Sequence, residues 1–414
     1  MNWNNRPAGI YLHIPFCEKK CVYCDFYSIE VTTQMERFVQ SLCKEIDRRA
    51  ANDTFLKDSF TATSVFFGGG TPSLLKPEHL EKIVAKLREH FLIDNSAEWT
   101  MECNPGTVSL ESLKAYRSLG INRLSFGVQS FVPSELEFLK RIHTPEESRE
   151  AIRMAREAHF DNVNIDLMFA LPVQTLDSLK FTIKNVLELE PEHISAYSLI
   201  FEEGTPLYTQ LLKGKVHEMP EDEDAEMYEY AMAEFFKNGY AQYEVSNYAK
   251  PGRECRHNVA YWSGDEYLAF GPSAHGFLKG ERYWNVRSLN RYTEMIDKGM
   301  LAVLKTEKLT DVELMFERAF LEMRAKGLDV ARFLKDFGVD LHELLQEKLV
   351  EWQKSELISF KNNQISLTPR GYLLCDEISL HVIAALEKAS GVEWKGESQA
   401  AEEEGLLKII EAEH

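Results

Sequence analysis

The 414-residue chain has no run of 18 apolar residues, so nothing in it is expected to span a membrane. Its first stretch, MNWNNRPAGIYLHI, lacks a charged segment followed by an apolar one, so no signal peptide is expected. Positive charge is scarce. Lys and Arg number 47 against 66 Asp and Glu, and the net charge of −19 has no basic stripe to offset it, which excludes nucleic acid as a partner. Cysteine is sparse as well: seven in a long chain without a secretion signal indicate a reducing compartment and disfavour disulfides. A soluble cytoplasmic protein follows, and composition leaves peripheral contact with the inner membrane face open. The length suggests two or three domains, and 44% apolar residues suffice for a sizeable core.

The few cysteines are concentrated. Tyr11 to Phe26 reads YLHIPFCEKKCVYCDF, with Cys17, Cys21 and Cys24 at C-x3-C-x2-C spacing. Three thiolates are too few for a closed four-ligand structural zinc site. Zinc sites favour paired C-x2-C, whereas Cys43, Cys103, Cys255 and Cys375 are single and widely spaced. The trio suits a cubane [4Fe-4S] cluster in which three irons are held and the fourth stays open to a substrate's donor atoms. Zinc or free thiols are the alternative.

From Gly9 onward, short apolar runs alternate with helical patterns, the mark of βα units and a parallel sheet. Strands are expected at Ile10–Ile14, Ser64–Phe67, Trp99–Glu102, Arg123–Val128, Val163–Met168 and Ile194–Ile200. Helices are expected near Thr33–Ala50, Pro77–His90, Leu110–Leu119, Pro145–Ala158 and Thr175–Leu189. Six such units make an open or incomplete barrel. Polar residues gather at the C-terminal ends of these strands, where parallel α/β folds build sites. Cys17 follows the first, Gly68 to Thr71 the second, and Glu102 closes the third; Gln129 follows the fourth and Asp166 lies late in the fifth.

The run GGGTP from Gly68 to Pro72 has neither the GK[ST] of a phosphate loop nor a dinucleotide fingerprint. Its bare strand edge suits a ligand's ammonium and carboxylate; an ordinary tight turn is the bland alternative. Glu102 could accept from hydroxyls or an ammonium, Gln129 could pair with a sugar or base edge, and Arg141 could fork onto a carboxylate. Asp166 interrupts an apolar strand, where an unpaired charge would be costly.

The cysteine spacing resembles the radical S-adenosylmethionine (SAM) superfamily, in which the open iron is chelated by the methionine moiety. The set YLHIPFC, FGGGTPS, ECNPG, GVQSF, LKRIHT, IDLMFALPVQT and HISAYSL is similar to the oxygen-independent coproporphyrinogen III oxidase family, from about Gly9 to about Leu374. The resemblance implies a partial (β/α)6 TIM-like barrel. It implies SAM contacts at Tyr11, Gly69, Gly70, Thr71, Glu102, Gln129, Arg141 and Asp166, with Ile200 a weaker backbone contact. Two departures from the oxidases stand out. They carry a further cysteine two positions after the last cluster ligand, where this chain has Phe26, and a long segment before the cluster, where this chain has 16 residues ahead of Cys17. Both match the HemW branch, whose members are heme chaperones.

RHNVAYW at Arg256–Trp262 matches the HNxxYW signature of that branch, which implicates His257 in heme binding. A neutral imidazole is a proper axial ligand, and Tyr261 and Trp262 offer flat faces, with Tyr267, Phe270, Phe277, Tyr283 and Trp284 following. A satisfied histidine beside an aromatic mini-core is the bland alternative, and His275 in GPSAHGF is a reserve ligand.

Acidic Glu218–Glu229 reads as a solvated helix. Beyond Tyr292, a capping box at Thr310–Glu313, further helices and a hairpin around Asn362-Asn363 resemble a winged-helix module. The expected division is a radical SAM barrel over 1–240, an α+β aromatic heme-binding segment over 241–300, a winged-helix-like helical domain over 301–390 and an acidic, mobile tail over 391–414. Within the tail, Leu406–Ile410 could form a last helical turn. The expected function is heme chaperoning with a [4Fe-4S] cluster, SAM and heme, delivering to an apoprotein such as a membrane-bound respiratory cytochrome. A flavodoxin- or ferredoxin-like electron donor is expected. Coproporphyrinogen III oxidation is the competing reading, and turnover of that substrate is not expected.

Overall fold

The computed structural model describes residues 7–52, 56 and 60–394. Its centre is a run of strands that share almost no surface with water. β4 (Arg123–Gln129) is buried at every position, and β5 (Val163–Phe169) at every position except Asp166. Strands covered on both faces belong in a parallel sheet flanked by helices. β1 (Pro7–Ile14), β2 (Thr61–Gly69), β3 (Leu92–Cys103), β4, β5 and β6 (His193–Ser198) lie side by side in chain order, every neighbouring pair parallel. Their C-terminal ends therefore share one mouth. This is the α/β partial barrel that the alternation of strands and helices led us to expect.

The crossover helices are α1 (Met35–Asn52), α2 (Pro77–His90), α3 (Leu110–Leu119), α4 (Pro133–Phe138), α5 (Pro145–Glu157) and α6 (Leu176–Glu188). Pro77 and Pro145 occupy first turns, where a missing N–H costs nothing. Ser109, Thr144 and Thr175 each close a reciprocal capping box, worth about 1 kcal/mol apiece. Gly120, at φ 111°, ends α3 in the left-handed conformation that favours glycine. The last strand stops at Ser198, short of the expected Ile200, because its pairing with β5 ends there; Ile200 projects into solvent.

Both edges of this sheet are extended. On one side β7 (Ala241–Glu244) and β8 (Asn247–Ala249) form an antiparallel pair beyond β6. On the other side α9, the HNxxYW helix at Arg256–Trp262, leads into β9 (Glu266–Phe270), which lies parallel to β1. The helices between are α7 (Pro206–Leu212) and α8 (Glu221–Lys237). β10 (His275–Leu278), β11 (Glu281–Asn285) and β12 (Val303–Lys308) continue antiparallel, giving twelve strands in the order β12-β11-β10-β9-β1-β2-β3-β4-β5-β6-β8-β7. Six parallel strands were expected and the structure has a seventh. β9 caps the edge of β1 that would otherwise be open to pairing.

Register divides the interior of β1 and β2 into layers. Gly9 pairs with Ser64, Tyr11 with Phe66 and His13 with Gly68, ascending toward the mouth. After α10 (Leu289–Asp297), α11 (Asp311–Met323) opens the C-terminal helical region with the expected Thr310/Glu313 capping box. A small sheet follows there, β13 (Leu328–Asp329), β15 (Gln364–Leu367) and β14 (Ile358–Lys361). Asn362 and Asn363 both have positive φ, as the two-residue hairpin requires. The last helix described spans Cys375–Ser390. One apolar core joins Ile10 and Phe126 of the barrel to Phe316 and Ile378 of this region. Residues 395–414, with most of the acidic tail and the turn at Leu406–Ile410, lie outside the described residues.

Candidate functional site

The loop after β1 carries Cys17, Cys21 and Cys24 and is tied at its neck. Cys17 N–H donates to Ile29 O at 3.0 Å and Ile29 N–H to Pro15 O at 2.7 Å. His13, in the top layer, places Nε2 2.8 Å from Tyr27 O and so anchors the loop's returning limb. Burial and the neighbouring Cys21 and Cys17 push the Cys24 thiol up to about 11. Arg141 brings a guanidinium N–H to 3.4 Å from Cys21 Sγ, a cation beside a prospective thiolate.

Spacing between the sulfurs distinguishes the two metal readings. A single tetrahedral zinc would bring its thiolates to about 3.8 Å from one another. Among the described residues, only Asp47, Glu89 and His90 gather three ligand atoms within 4.8 Å, so the cysteine trio is spread more widely than one ion allows. A cubane gives each sulfur its own iron and so asks for wider spacing than one zinc ion does.

The loop opens on a cavity of about 570 Å³. Cys17, Cys21 and Cys24 line it together with Gly69, Gly70, Thr71, Glu102, Gln129, Arg141, Asp166 and Ile200. Six strand ends thus converge, as their common direction in the sheet demands. Two predicted residues stand elsewhere. Tyr11 lines a neighbouring cavity of about 470 Å³, and His257 lines neither.

The glycine run works differently from its sequence reading. Its amides are already engaged: Gly69 N–H with Glu102 Oε2, Gly70 N–H with Ile14 O and Thr71 N–H with Phe16 O. These three amides are therefore not free to meet a ligand. Glycine is required for close approach. A Cβ on Gly70 would sit 2.6 Å from Phe16 O, and one on Gly69, at φ 107°, 2.7 Å from the His13 ring.

Glu102 is pushed up to about 8 by burial and by the nearby Asp166 carboxylate. Asp166 is raised too, chiefly by burial, yet it is not orphaned: Asn164 donates to it at 2.6 Å and Ser125 at 3.3 Å. A β-bulge between Gly127 and Gln129 re-aims Gln129, which takes the unusual φ of 68° for a residue with a side chain. Gln129 Oε1 and Arg141 Nε are buried without a protein partner. Leaving such atoms unmet costs about 1–3 kcal/mol each, so a ligand supplying a donor and an acceptor fits here. Two raised carboxyls facing the same space suit a cation.

The reading of the sequence passed over Asn104, two residues beyond Glu102 in ECNPG. Its side chain accepts from Arg141 and donates to Thr71 Oγ1, linking two candidates. Tyr197 also lines the cavity, inside the quoted HISAYSL.

The aromatic segment divides. Tyr261, Tyr267 and Phe277 line the second cavity, with His13, Tyr27 and His275; Asp25 and Phe26 belong to the walls of both cavities. Phe270 and Tyr283 are core residues, and Trp262 faces a separate crevice. His257 is buried, with Nδ1 2.9 Å from Ser64 Oγ and Nε2 3.0 Å from the Tyr261 hydroxyl. Burial, aided by Arg123, lowers it to about 3, so the ring is neutral.

Comparison with known proteins is consistent with this geometry. The model of the radical SAM superfamily matches residues 11–186, and that of the HemN C-terminal domain residues 309–374. Heme chaperone HemW of Bacillus subtilis is 37% identical over 89% of this chain and 97% of that protein. Heme chaperone HemW of Lactococcus lactis is 33% identical over 90% of this chain and 96% of that protein. Among solved structures, coproporphyrinogen III oxidase (HemN) from Escherichia coli superposes with a TM-score of 0.78 at 25% identity, covering 91% of this chain and 90% of that one.

Proposed function

The chain belongs to the HemW family of heme chaperones, and from that premise we propose that it holds heme beside a [4Fe-4S] cluster and SAM and passes the heme to an apoprotein. Cys17, Cys21 and Cys24 would hold the cluster. Gly69, Gly70, Thr71, Glu102, Gln129, Arg141 and Asp166 would surround SAM. The observation that carries this reading is the pair of adjoining cavities. One holds three sulfurs and two unmet buried polar atoms, and the other is walled by aromatic rings and imidazoles together with arginine and carboxylate side chains. Held by Cys17, Cys21 and Cys24, such a cluster would supply, when reduced, one electron to the SAM sulfonium. The chain's own residues place the ligand's cationic groups against Glu102 and Asp166 and satisfy its polar edge through Gln129.

No helix of the described residues is long and apolar enough to cross a membrane. We place the protein in the cytoplasm, peripheral to the inner membrane face, with a respiratory cytochrome as client and a small flavodoxin or ferredoxin as electron donor. Anaerobic titration of the reconstituted protein with hemin, followed by transfer to an apocytochrome, tests the reading. A protein that takes up no heme removes it.

Phe26, which is 67% exposed, stands where the resembling oxidases carry a further cysteine. Incubated anaerobically with coproporphyrinogen III, SAM and a reductant, the protein is expected to yield no protoporphyrinogen by fluorescence after oxidation. Turnover would restore the oxidase reading.

A pH dependence follows from Glu102. Its folded-state pKa near 8 exceeds the ordinary 4.5, so without ligand the carboxyl is mostly protonated at pH 7, and folding stability falls as pH rises from about 4.5 to about 8. A cationic ligand favours the carboxylate, so SAM binding should expel a proton. Affinity should then rise toward about tenfold per pH unit below 8 and level off above it. Calorimetry in buffers of different ionisation enthalpy reads the released proton, and Glu102→Gln should flatten the profile.

A further inference from the structure

We propose that Asn164, His193 and Tyr243 form a directed hydrogen-bond relay beneath the cysteine-lined cavity, and that the relay makes Asp166, rather than Glu102, the standing carboxylate that receives the ligand's cationic group. This rests on the reading that the cavity takes SAM and deepens it by naming what divides the work between the two carboxyls.

The relay is set by register. Asn164 and Asp166 are two residues apart on β5 and so share a face, with Asn164 one rung lower in the barrel. Asn164 is level with Ser125 of β4 and His193 of β6, and Asp166 is level with Gly127 and Ser195. Asp166 and Ser125 line the cavity, whereas Asn164, His193 and Tyr243 do not. Those three residues are buried, so they can act on a ligand only through Asp166. They are positioning residues.

The direction of each hydrogen follows from its neighbour. The Tyr243 hydroxyl accepts the Cys255 N–H at 3.3 Å, which leaves its own hydrogen for His193 Nε2, 2.7 Å away. Burial, aided by Arg123, holds His193 well below its ordinary pKa, so the ring is neutral and carries a single N–H. With Nε2 accepting, that hydrogen is on Nδ1 and goes to Asn164 Oδ1 at 2.6 Å. Ser195 Oγ donates to the same oxygen at 3.2 Å. The amide is thereby locked with its nitrogen toward the mouth, donating to Asp166 Oδ1 at 2.6 Å and to Ser125 Oγ at 2.7 Å. Ser125 passes its own hydrogen on to Asp166 Oδ1 at 3.3 Å. Every link sends hydrogen toward Asp166, and an oxygen met by donors is favoured as the carboxylate. Turned over, the amide would present its carbonyl and favour the acid.

Glu102 has no such support. Among the described residues, its hydrogen-bond donor is the Gly69 N–H at 3.2 Å. Two carboxyls facing one space resist a second charge, so the donors decide which of them ionises first. Burial raises Asp166, and Asn164, Ser195, Arg123 and Ser125 oppose it. The other charged and titratable groups facing Asp166 are Glu102 of β3, Arg123 of β4, Arg141 beyond β4 and Tyr197 of β6. The two arginines favour its charge, and burial keeps the Tyr197 hydroxyl neutral.

The test is anaerobic calorimetric titration of the full, cluster-reconstituted chain with SAM, between about pH 6 and pH 9, in buffers of different ionisation enthalpy. The wild type should release about one proton per SAM at pH 7, from Glu102. Asn164→Leu removes the amide. His193→Gln keeps a partner for Tyr243 and removes the Nδ1 donor. Both should bind SAM at least about tenfold more weakly at pH 7, release close to two protons and gain affinity toward about a hundredfold per pH unit. His193→Asn, whose amide takes the place of Nδ1, should restore the one-proton profile. A purely structural role would lower the melting temperature and leave proton count and slope alone. Nitrogen-15 histidine resonance of the wild type gives a second reading that needs no folded relay variant. The ring whose signal Tyr243→Phe shifts should be the neutral Nδ1–H tautomer. Two protons from the wild type, wild-type proton count and slope in folded Asn164→Leu and His193→Gln, or an Nε2–H or doubly protonated His193 would overturn the relay. A wild-type chain that binds no SAM would overturn the reading of the cavity itself and the relay with it.

Discussion

Cys17→Ala, Cys21→Ala and Cys24→Ala are each expected to leave the protein without iron. Three sulfurs are the minimum that can hold a cubane with one open corner, so two leave no stable site. None of the described cysteines is placed as a substitute. Cys43, Cys255 and Cys375 do not line the cavity, and Cys103, which does, is a buried thiol whose pKa is driven up by burial. Iron analysis should fall from roughly four atoms per chain toward none, and SAM binding should fall with it, because the open iron is its chelating centre. The fold should survive, since the loop's neck is held by Cys17 N–H, Ile29 and His13 rather than by sulfur. The Cys24 thiol, near 11, is protonated at neutral pH, so reconstitution should release protons and proceed faster as pH rises. A variant that keeps its full iron would show that the centre lies elsewhere.

Gly70→Ala carries the second largest expected effect, through geometry alone. Gly70 and Thr71 stitch the end of β2 to the chain just ahead of Cys17 through two backbone hydrogen bonds of 2.8 and 2.7 Å. A methyl group there meets Phe16 O at 2.6 Å and Ile14 O and Phe16 N at 2.9 Å, all backbone atoms that no rotamer change can move aside. Relief requires the two segments to part, which costs about 1–3 kcal/mol and displaces Cys17 from Thr71 Oγ1. We expect a lower melting temperature, weak cluster retention and little or no SAM binding by calorimetry. Gly214→Ala is the control, since a Cβ at Gly214 meets no atom within 4 Å, although its φ of 63° adds some strain. Equal behaviour of the two variants would refute the close-approach role of Gly70.

Much of the site was legible because it is local. The cysteine spacing lies on one loop, and polar residues at the ends of parallel strands must share a mouth, whatever the rest of the chain does. Glu102, Gln129 and Asp166 met for that reason. Asn104 escaped notice because nothing in ECNPG marks an asparagine as a bridge. Its role depends on Arg141 arriving from a loop 37 residues away. The glycine run lines the cavity. Its amides looked open along the chain and are engaged in the fold.

His257 illustrates the limit. A motif of histidine and aromatics reads as a ring-binding segment, yet the alternation of a strand or the turn of a helix says which face a side chain takes and nothing about its depth. Depth follows from register between segments far apart in sequence. Gly9 against Ser64 puts the His257 ring beside Tyr11 and Phe66, one residue away from the second cavity that Tyr261 lines.

Taken alone, the chain's order of residues settled the grouping of three cysteines on one loop, the succession of parallel strands, the helix caps and the Asn362-Asn363 hairpin, because each is decided by neighbours within a few residues. Folding in three dimensions decided the seventh parallel strand, the two cavities that share Asp25 and Phe26, and the burial of His257. Those depend on hydrogen bonds and packing between segments up to some 250 residues apart, which no local pattern encodes.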